Sequence, residues 1–170
     1  MAAMWKFAIL AAAAAAAAPQ APVVSTSASK WHVEDQLSQL DDARTVTADL
    51  DSANLLSNGI GSPEAATLFV QCDAGELTVY VVWPPFMGNR DREVRWKFDA
   101  GSITKEKWRG SESGTATFDP FPYDFLAALS AAKRFVIDAP PFQQSDVEAV
   151  FDTAGADKVV TAAMAACPKP

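Results

Sequence analysis

Between Ala66 and Trp83 the chain carries two runs with alternate residues apolar, Ala66-Thr-Leu-Phe-Val-Gln-Cys72 and Glu76-Leu-Thr-Val-Tyr-Val-Val-Trp83, separated by Asp73-Ala-Gly75. A period of two sends successive side chains to opposite faces of an extended strand, and a short Gly-containing break between two such runs is a hairpin signal. Trp83-Pro-Pro85 ends the second run, because proline cannot donate to a ladder. The pattern returns in Lys30–Val33, Arg44–Leu50, Glu93–Phe98, Ile103–Arg109, Gly114–Phe118, Arg134–Asp138 and Val147–Asp152, with Asp99-Ala-Gly-Ser102 as a second hairpin turn.

Two segments change period. Tyr123 to Lys133 places Phe125, Leu126 and Leu129 at helical spacing, with Pro122 suited to the first turn and Lys133 to the last. Asp157 to Cys167 places Val159, Val160, Ala163 and Met164 on one side; Asp157 is placed to cap its start, and Pro168 stops it. Many short strands with two helices predict an α+β domain: mainly antiparallel β, sandwich-like or a strongly curled sheet, with the second helix at the C-terminus.

The N-terminus reads as an address. One cation, Lys6, precedes an uncharged run from Phe7 to Ala18 with small residues around Ala17 and Ala18, the pattern of a signal peptide over residues 1–17. The run is shorter than the roughly 18 to 20 apolar residues that span a bilayer. Residues 18–29, rich in Pro, Ala, Ser and Thr, read as a flexible lead-in, and 30–170 as one disulfide-linked domain. The expectation is a periplasmic or secreted protein, soluble once the signal is removed. In an oxidising compartment the chain's two cysteines, Cys72 and Cys167, predict one bridge.

The chain's 21 acidic against 14 basic residues argue against nucleic acid, which needs a basic footprint. One His and two Cys make no zinc site from N and S ligands alone. Gly110-Ser-Glu-Ser-Gly114 has Glu112 where a nucleophile elbow needs Ser, and reads as a turn. His32, the single histidine, reads as a strand residue rather than a general base. The acidic pairs Asp41-Asp42 and Asp49/Asp51 are no better: after Asp49, Ala53 and Asn54 stand where a calcium loop needs an oxygen ligand and Gly. No catalytic, cofactor-binding or metal-binding residue is expected, and the chain is read as not an enzyme.

Two surfaces are candidates for interaction. In the hairpin from Glu93 to Arg109, placing Trp96 and Trp108 together on one face gathers Arg95, Lys97, Lys105, Lys107 and Arg109 on the other, a cationic patch suited to an acidic partner or to the carboxylates of cell-wall peptides. The second is Trp83-Pro-Pro-Phe-Met-Gly88, apolar for a connection between strands; exposed, Trp83 and Phe86 would form a binding loop, and folded under they would plug the core.

Taken in order, Asp41-Asp-Ala-Arg-Thr-Val46, Ala66 to Cys72, Thr78 to Trp83 with Phe86 and Gly88, and Val94-Arg-Trp-Lys-Phe-Asp99 with Trp108 resemble the periplasmic proteins of type VI secretion called VasI or TagO. So do Ala116 to Pro120, Ala132 to Phe135, Pro141-Phe142, Val147 to Gly155 and Ala165-Ala-Cys167. The resemblance implies an exported, disulfide-linked, non-catalytic accessory domain that supports membrane-complex components through a protein partner in the cell envelope. Family members often end Cys-Gly-Trp where this chain has Cys167-Pro-Lys-Pro170, so fold carries over better than role. The alternatives are a stand-alone periplasmic ligand-binding protein and a hydrolase acting on cell-wall material with an Asp/Glu pair.

Overall fold

A computed structural model describes residues 30–40, 43–57 and 61–170. The signal peptide and lead-in expected over residues 1–29, and the Asp41-Asp42 pair, lie outside the described residues. The strands are β1 (His32–Leu37), β2 (Arg44–Leu56), β3 (Glu64–Asp73), β4 (Glu76–Val82), β5 (Arg92–Phe98), β6 (Thr104–Gly110) and β7 (Ala116–Phe118). Helix α1 (Pro122–Leu129), strands β8 (Arg134–Ala139) and β9 (Val147–Asp152) and helix α2 (Ala156–Ala166) complete the chain. The strands form one antiparallel sheet in the order β1-β2-β3-β4-β7-β6-β5-β8-β9.

The alternation sorts the faces as expected. Val46, Ala48 and Leu50 of β2, Leu68, Val70 and Cys72 of β3, and Val79 and Val81 of β4 are buried, while the residues between them are not. At the β3–β4 turn Ala74 and Gly75 both have positive φ, 48° and 80°, the backbone of a two-residue hairpin whose twist matches its strands. The opposite face carries a row of directly opposed residues across six strands: His32, Asp49, Phe69, Tyr80, Phe118 and Arg109. His32 Nδ1 lies 3.0 Å from Asp49 Oδ1, Phe69 stacks on Tyr80 at 4.9 Å, Tyr80 lies 5.0 Å from Phe118, and the Arg109 guanidinium sits 4.5 Å above the Phe118 ring.

The sheet curls without closing. β2 is irregular between Asp51 and Leu55, where the buried Ser52 hydroxyl accepts from the Ala66 amide at 3.0 Å and donates to the Asn54 carbonyl at 2.7 Å. The bulge aims Asn54 at β9. There its side-chain amide donates to the Glu148 carbonyl at 2.7 Å and accepts from the Val150 amide at 2.9 Å, standing in for a peptide group of a strand pair. Both helices cover the inner face. Phe125 of α1 meets Trp96, Phe98, Trp108 and Phe135 with ring centroids 5.1 to 6.1 Å apart, and Val159 and Ala163 of α2 are buried. Cys72 of β3 and Cys167, just past α2, are disulfide-bonded with Cα atoms 5.8 Å apart and no exposed surface.

Two helix ends differ from the sequence reading. Pro122 does open α1, but the helix stops at Leu129 rather than Lys133. The amides of Lys133 and Arg134 donate to the Asp99 carboxylate at 3.2 and 3.0 Å, and Lys133 accepts from Thr153, so these residues are committed to starting β8. At α2 the N-cap is Gly155, in the left-handed conformation, with no side-chain cap; Asp157 lies inside the first turn, where it favours the helix by its charge.

Candidate functional site: an arginine flanked by two Pro-Pro-Phe segments

The register of β5 and β6 opposes Arg92 to Trp108, Arg95 to Lys105 and Trp96 to Thr104. Trp96 therefore faces Thr104 rather than Trp108, although both indoles still lie inward and donate to the same oxygen, Glu106 Oε2, at 3.3 and 3.0 Å. Arg95, Lys97, Lys105, Lys107 and Arg109 occupy the alternate positions, so the hairpin does place them on one side. It does not leave them an unopposed cationic patch. Arg95 forms a two-pronged pair with Asp138, its Nε donating at 2.9 Å, and Asp146 lies 3.5 Å from it. Arg109 lies on the Phe118 ring, and Glu93 stands opposite Lys107.

The Trp83–Gly88 connection divides between core and surface. Trp83 is 2% exposed and its indole donates to the buried Thr117 hydroxyl at 2.9 Å, which removes it from the candidate interaction surface. Its ring continues the inward alternation of β4, where apolar area is worth most. Met87 is buried as well, while Phe86 is 51% exposed.

Phe86 has a partner that sequence reasoning missed. Pro84-Pro-Phe86 and Pro140-Pro-Phe142 are the same tripeptide, and the fold brings them together. The Phe142 amide donates to the Phe86 carbonyl at 3.0 Å, and the two rings meet edge to face at 6.0 Å. Phe142 is 48% exposed. The repeated tripeptide was the available signal, since proline stiffens each approach and leaves the aromatic residue at the tip.

Two glycines make room around the pair. A Cβ at Gly114 would lie 2.3 Å from Phe86 Cε2, and one at Gly88 would lie 2.3 Å from Arg92 Nη2 and 3.5 Å from Phe142 Cδ2. Both have positive φ, 71° and 79°, where glycine is unstrained. Between them opens a pocket of about 590 Å³ walled by Phe86, Phe142, Arg90, Arg92, Asn89 and Glu112. Neither arginine makes an ion pair among the described residues. The Arg92 Nε is buried with no acceptor there.

No family model matches this sequence, and no curated protein does. Among solved structures, the crystal structure of invasion associated protein B from Bartonella henselae is similar with a TM-score of 0.53 at 13% identity, over 80% of this chain and 92% of that one. The likeness is one of fold.

Elsewhere the residues weighed for chemistry have local partners. Ser111 accepts from the amides of Thr115 and Ala116 at 3.1 and 3.0 Å, which makes the Gly110–Gly114 segment the turn between β6 and β7. His32 is held by Asp49, and that hydrogen bond raises its pKa above the ordinary value. A smaller pocket of about 240 Å³ is lined by Trp96, Glu106, Asp119, Phe121, Asp124 and Phe125. Burial pushes the Asp119 carboxyl up to about 6. Its Oδ1 accepts from the Phe121 amide at 2.6 Å and its Oδ2 is buried without a donor among the described residues.

Proposed function

We propose that this chain is an exported, non-catalytic protein of the cell envelope that works by binding a protein partner through the Phe86–Phe142 face. The observation that carries the reading is the presentation of two half-exposed aromatic rings on paired proline-braced loops, hydrogen-bonded to each other and seated against glycine backbone. Aromatic residues held rigidly at a surface lose little entropy on binding and dominate interface energetics. Export is supported by the signal-peptide pattern of residues 1–17 and by the buried disulfide, which belongs to an oxidising compartment. Among the described residues no helix is long and apolar enough to cross a membrane. The resemblance to VasI and TagO proteins supplies the finer reading, in which the partner belongs to the membrane complex of a type VI secretion system.

The test is capture of partners by the tagged full chain from the periplasm of its own host, without reductant. A discrete partner should be recovered with wild type and lost with the double variant Phe86→Ser/Phe142→Ser. Retention of the unprocessed protein in the cytoplasm, or capture indifferent to both rings, would remove the reading. A wall-hydrolase reading has one observation in its favour, the raised Asp119 carboxyl beside Glu106. Its Oδ2 is buried and its Oδ1 is engaged by the Phe121 amide, which weighs against this reading, and no lysis band is expected on peptidoglycan zymograms.

A further inference from the structure

The proposed docking face has a charge beside its two rings that an apolar partner surface would strand. Arg92 opens β5 half-buried, its guanidinium lying over Gly88 in the space a side chain would fill. Among the described residues no carboxylate forms an ion pair with it and its Nε has no acceptor. A guanidinium presents parallel N–H donors that match a carboxylate two at a time, and a single buried donor left unpaired, as Nε is here, is costly. Arg90 lines the same pocket and adds a second positive charge. Arg90 and Arg92 against the single acid Glu112 leave the lining one positive charge in excess, which an anion would complement.

The walls narrow the choice of anion. Phe86 and Phe142 line the same space, so the ligand must offer an apolar group within a few ångströms of its negative charge. The last residue of a peptide does this with one Cα, which bears both the free carboxylate and the side chain. An internal Asp or Glu brings charge without the apolar group. Glu112, also on the wall, repels a second acid and can accept an N–H of the peptide backbone. A pocket of about 590 Å³ lies within the usual range of roughly 300 to 1,000 Å³ for ligand sites, room for a short terminal segment.

Resting on the docking function proposed above, we infer that the Arg92 pocket takes the free C-terminus of a partner chain, the carboxylate on Arg92 and a large apolar terminal side chain between Phe86 and Phe142. Fluorescence anisotropy on the disulfide-bonded protein tests it with fluorescein-Gly-Ser-Gly-Ser-Phe as free acid, the same peptide as C-terminal amide, and fluorescein-Gly-Ser-Gly-Phe-Asp amide. The free acid should bind saturably and the two amides about tenfold or more weaker, the loss expected for one charge-assisted pair. Arg92→Gln should reproduce that loss and Arg92→Lys restore part of it, because Lys keeps the charge without the fork. Phe142→Ala, at a half-exposed position, should weaken the acid several-fold without unfolding the domain. Equal binding of acid and amide, or no saturation at millimolar protein, overturns the inference. If that happens while the Phe86/Phe142 double variant still loses its partner, docking stands and only the terminal carboxylate falls.

Discussion

Asp119 shows how one buried atom can set a pH dependence. Its folded pKa, about 6, lies above the ordinary 3.8, because burial disfavours the charged form more than the Phe121 amide favours it. The folded protein thus keeps a proton that the unfolded chain releases. The neutral carboxyl's contribution is fully present below pH 4 and is lost as pH rises through 6. Asp119→Asn keeps an oxygen for the Phe121 amide and removes the titration. Urea midpoints measured at pH 4 and pH 7 should show wild type losing about 2 to 3 kcal/mol relative to the variant over that interval. Parallel pH profiles would mean that Asp119 is solvated. None of this was legible in the sequence, where Asp119-Pro120 is one acid among 21; the shift comes from what α1 and β7 pack around it. Trp83 was legible only as an alternative, because Pro84 hides whether the β4 alternation ends before or after the indole.

At the scale of elements, the strands were legible because period-two alternation follows from burying one face, and each expected run falls within or beside an observed strand. The ends were less so. The end of α1 depends on Asp99, more than thirty residues upstream, and local propensity does not contain that contact. The approach of β9 to β2 is of the same kind. Asn54 lies in a stretch whose irregularity depends on Ser52 replacing a ladder partner, and its two hydrogen bonds reach residues over ninety positions away. Asn54→Ala should cost about 1 to 3 kcal/mol and speed exchange of the Val150 amide more than that of amides in β3. Asn54→Asp, which keeps the acceptor and loses the donor, should fall between. Unchanged Val150 protection in the Ala variant would show that β9 is held by β8 alone.

For the whole molecule, the Cys72–Cys167 bridge spans 95 positions and joins the third strand to the end of the last helix. Its pairing was legible from the count of two cysteines and the export pattern; its place in the core was not. Closing so long a loop in the unfolded chain stabilises by about 4 to 5 kcal/mol in the chain-entropy account. Cys72→Ala/Cys167→Ala should lose most of that in urea denaturation and become indifferent to reductant, whereas wild type should fall toward the variant on reduction. The Phe86–Phe142 pocket was half legible. Phe86 and its loop stood out as apolar between strands, but Phe142 and Arg92 reach it from β8–β9 and β5, and only the sheet order makes them neighbours.

The same bridge decides how the protein bears a pull. A force applied between residues 30 and 170 travels from Trp31 along β1, β2 and β3 to Cys72, crosses to Cys167 and leaves by the tail, so that β4 through α2 hang off the load path as a covalently closed loop. Stretching the oxidised chain releases about 160 Å of backbone, against about 500 Å once the bridge is reduced. Phe86, Phe142 and Arg92 all lie inside the closed loop. The pocket thus lies in the part of the molecule that tension on the ends does not draw out, where a partner of the proposed kind would keep its grip.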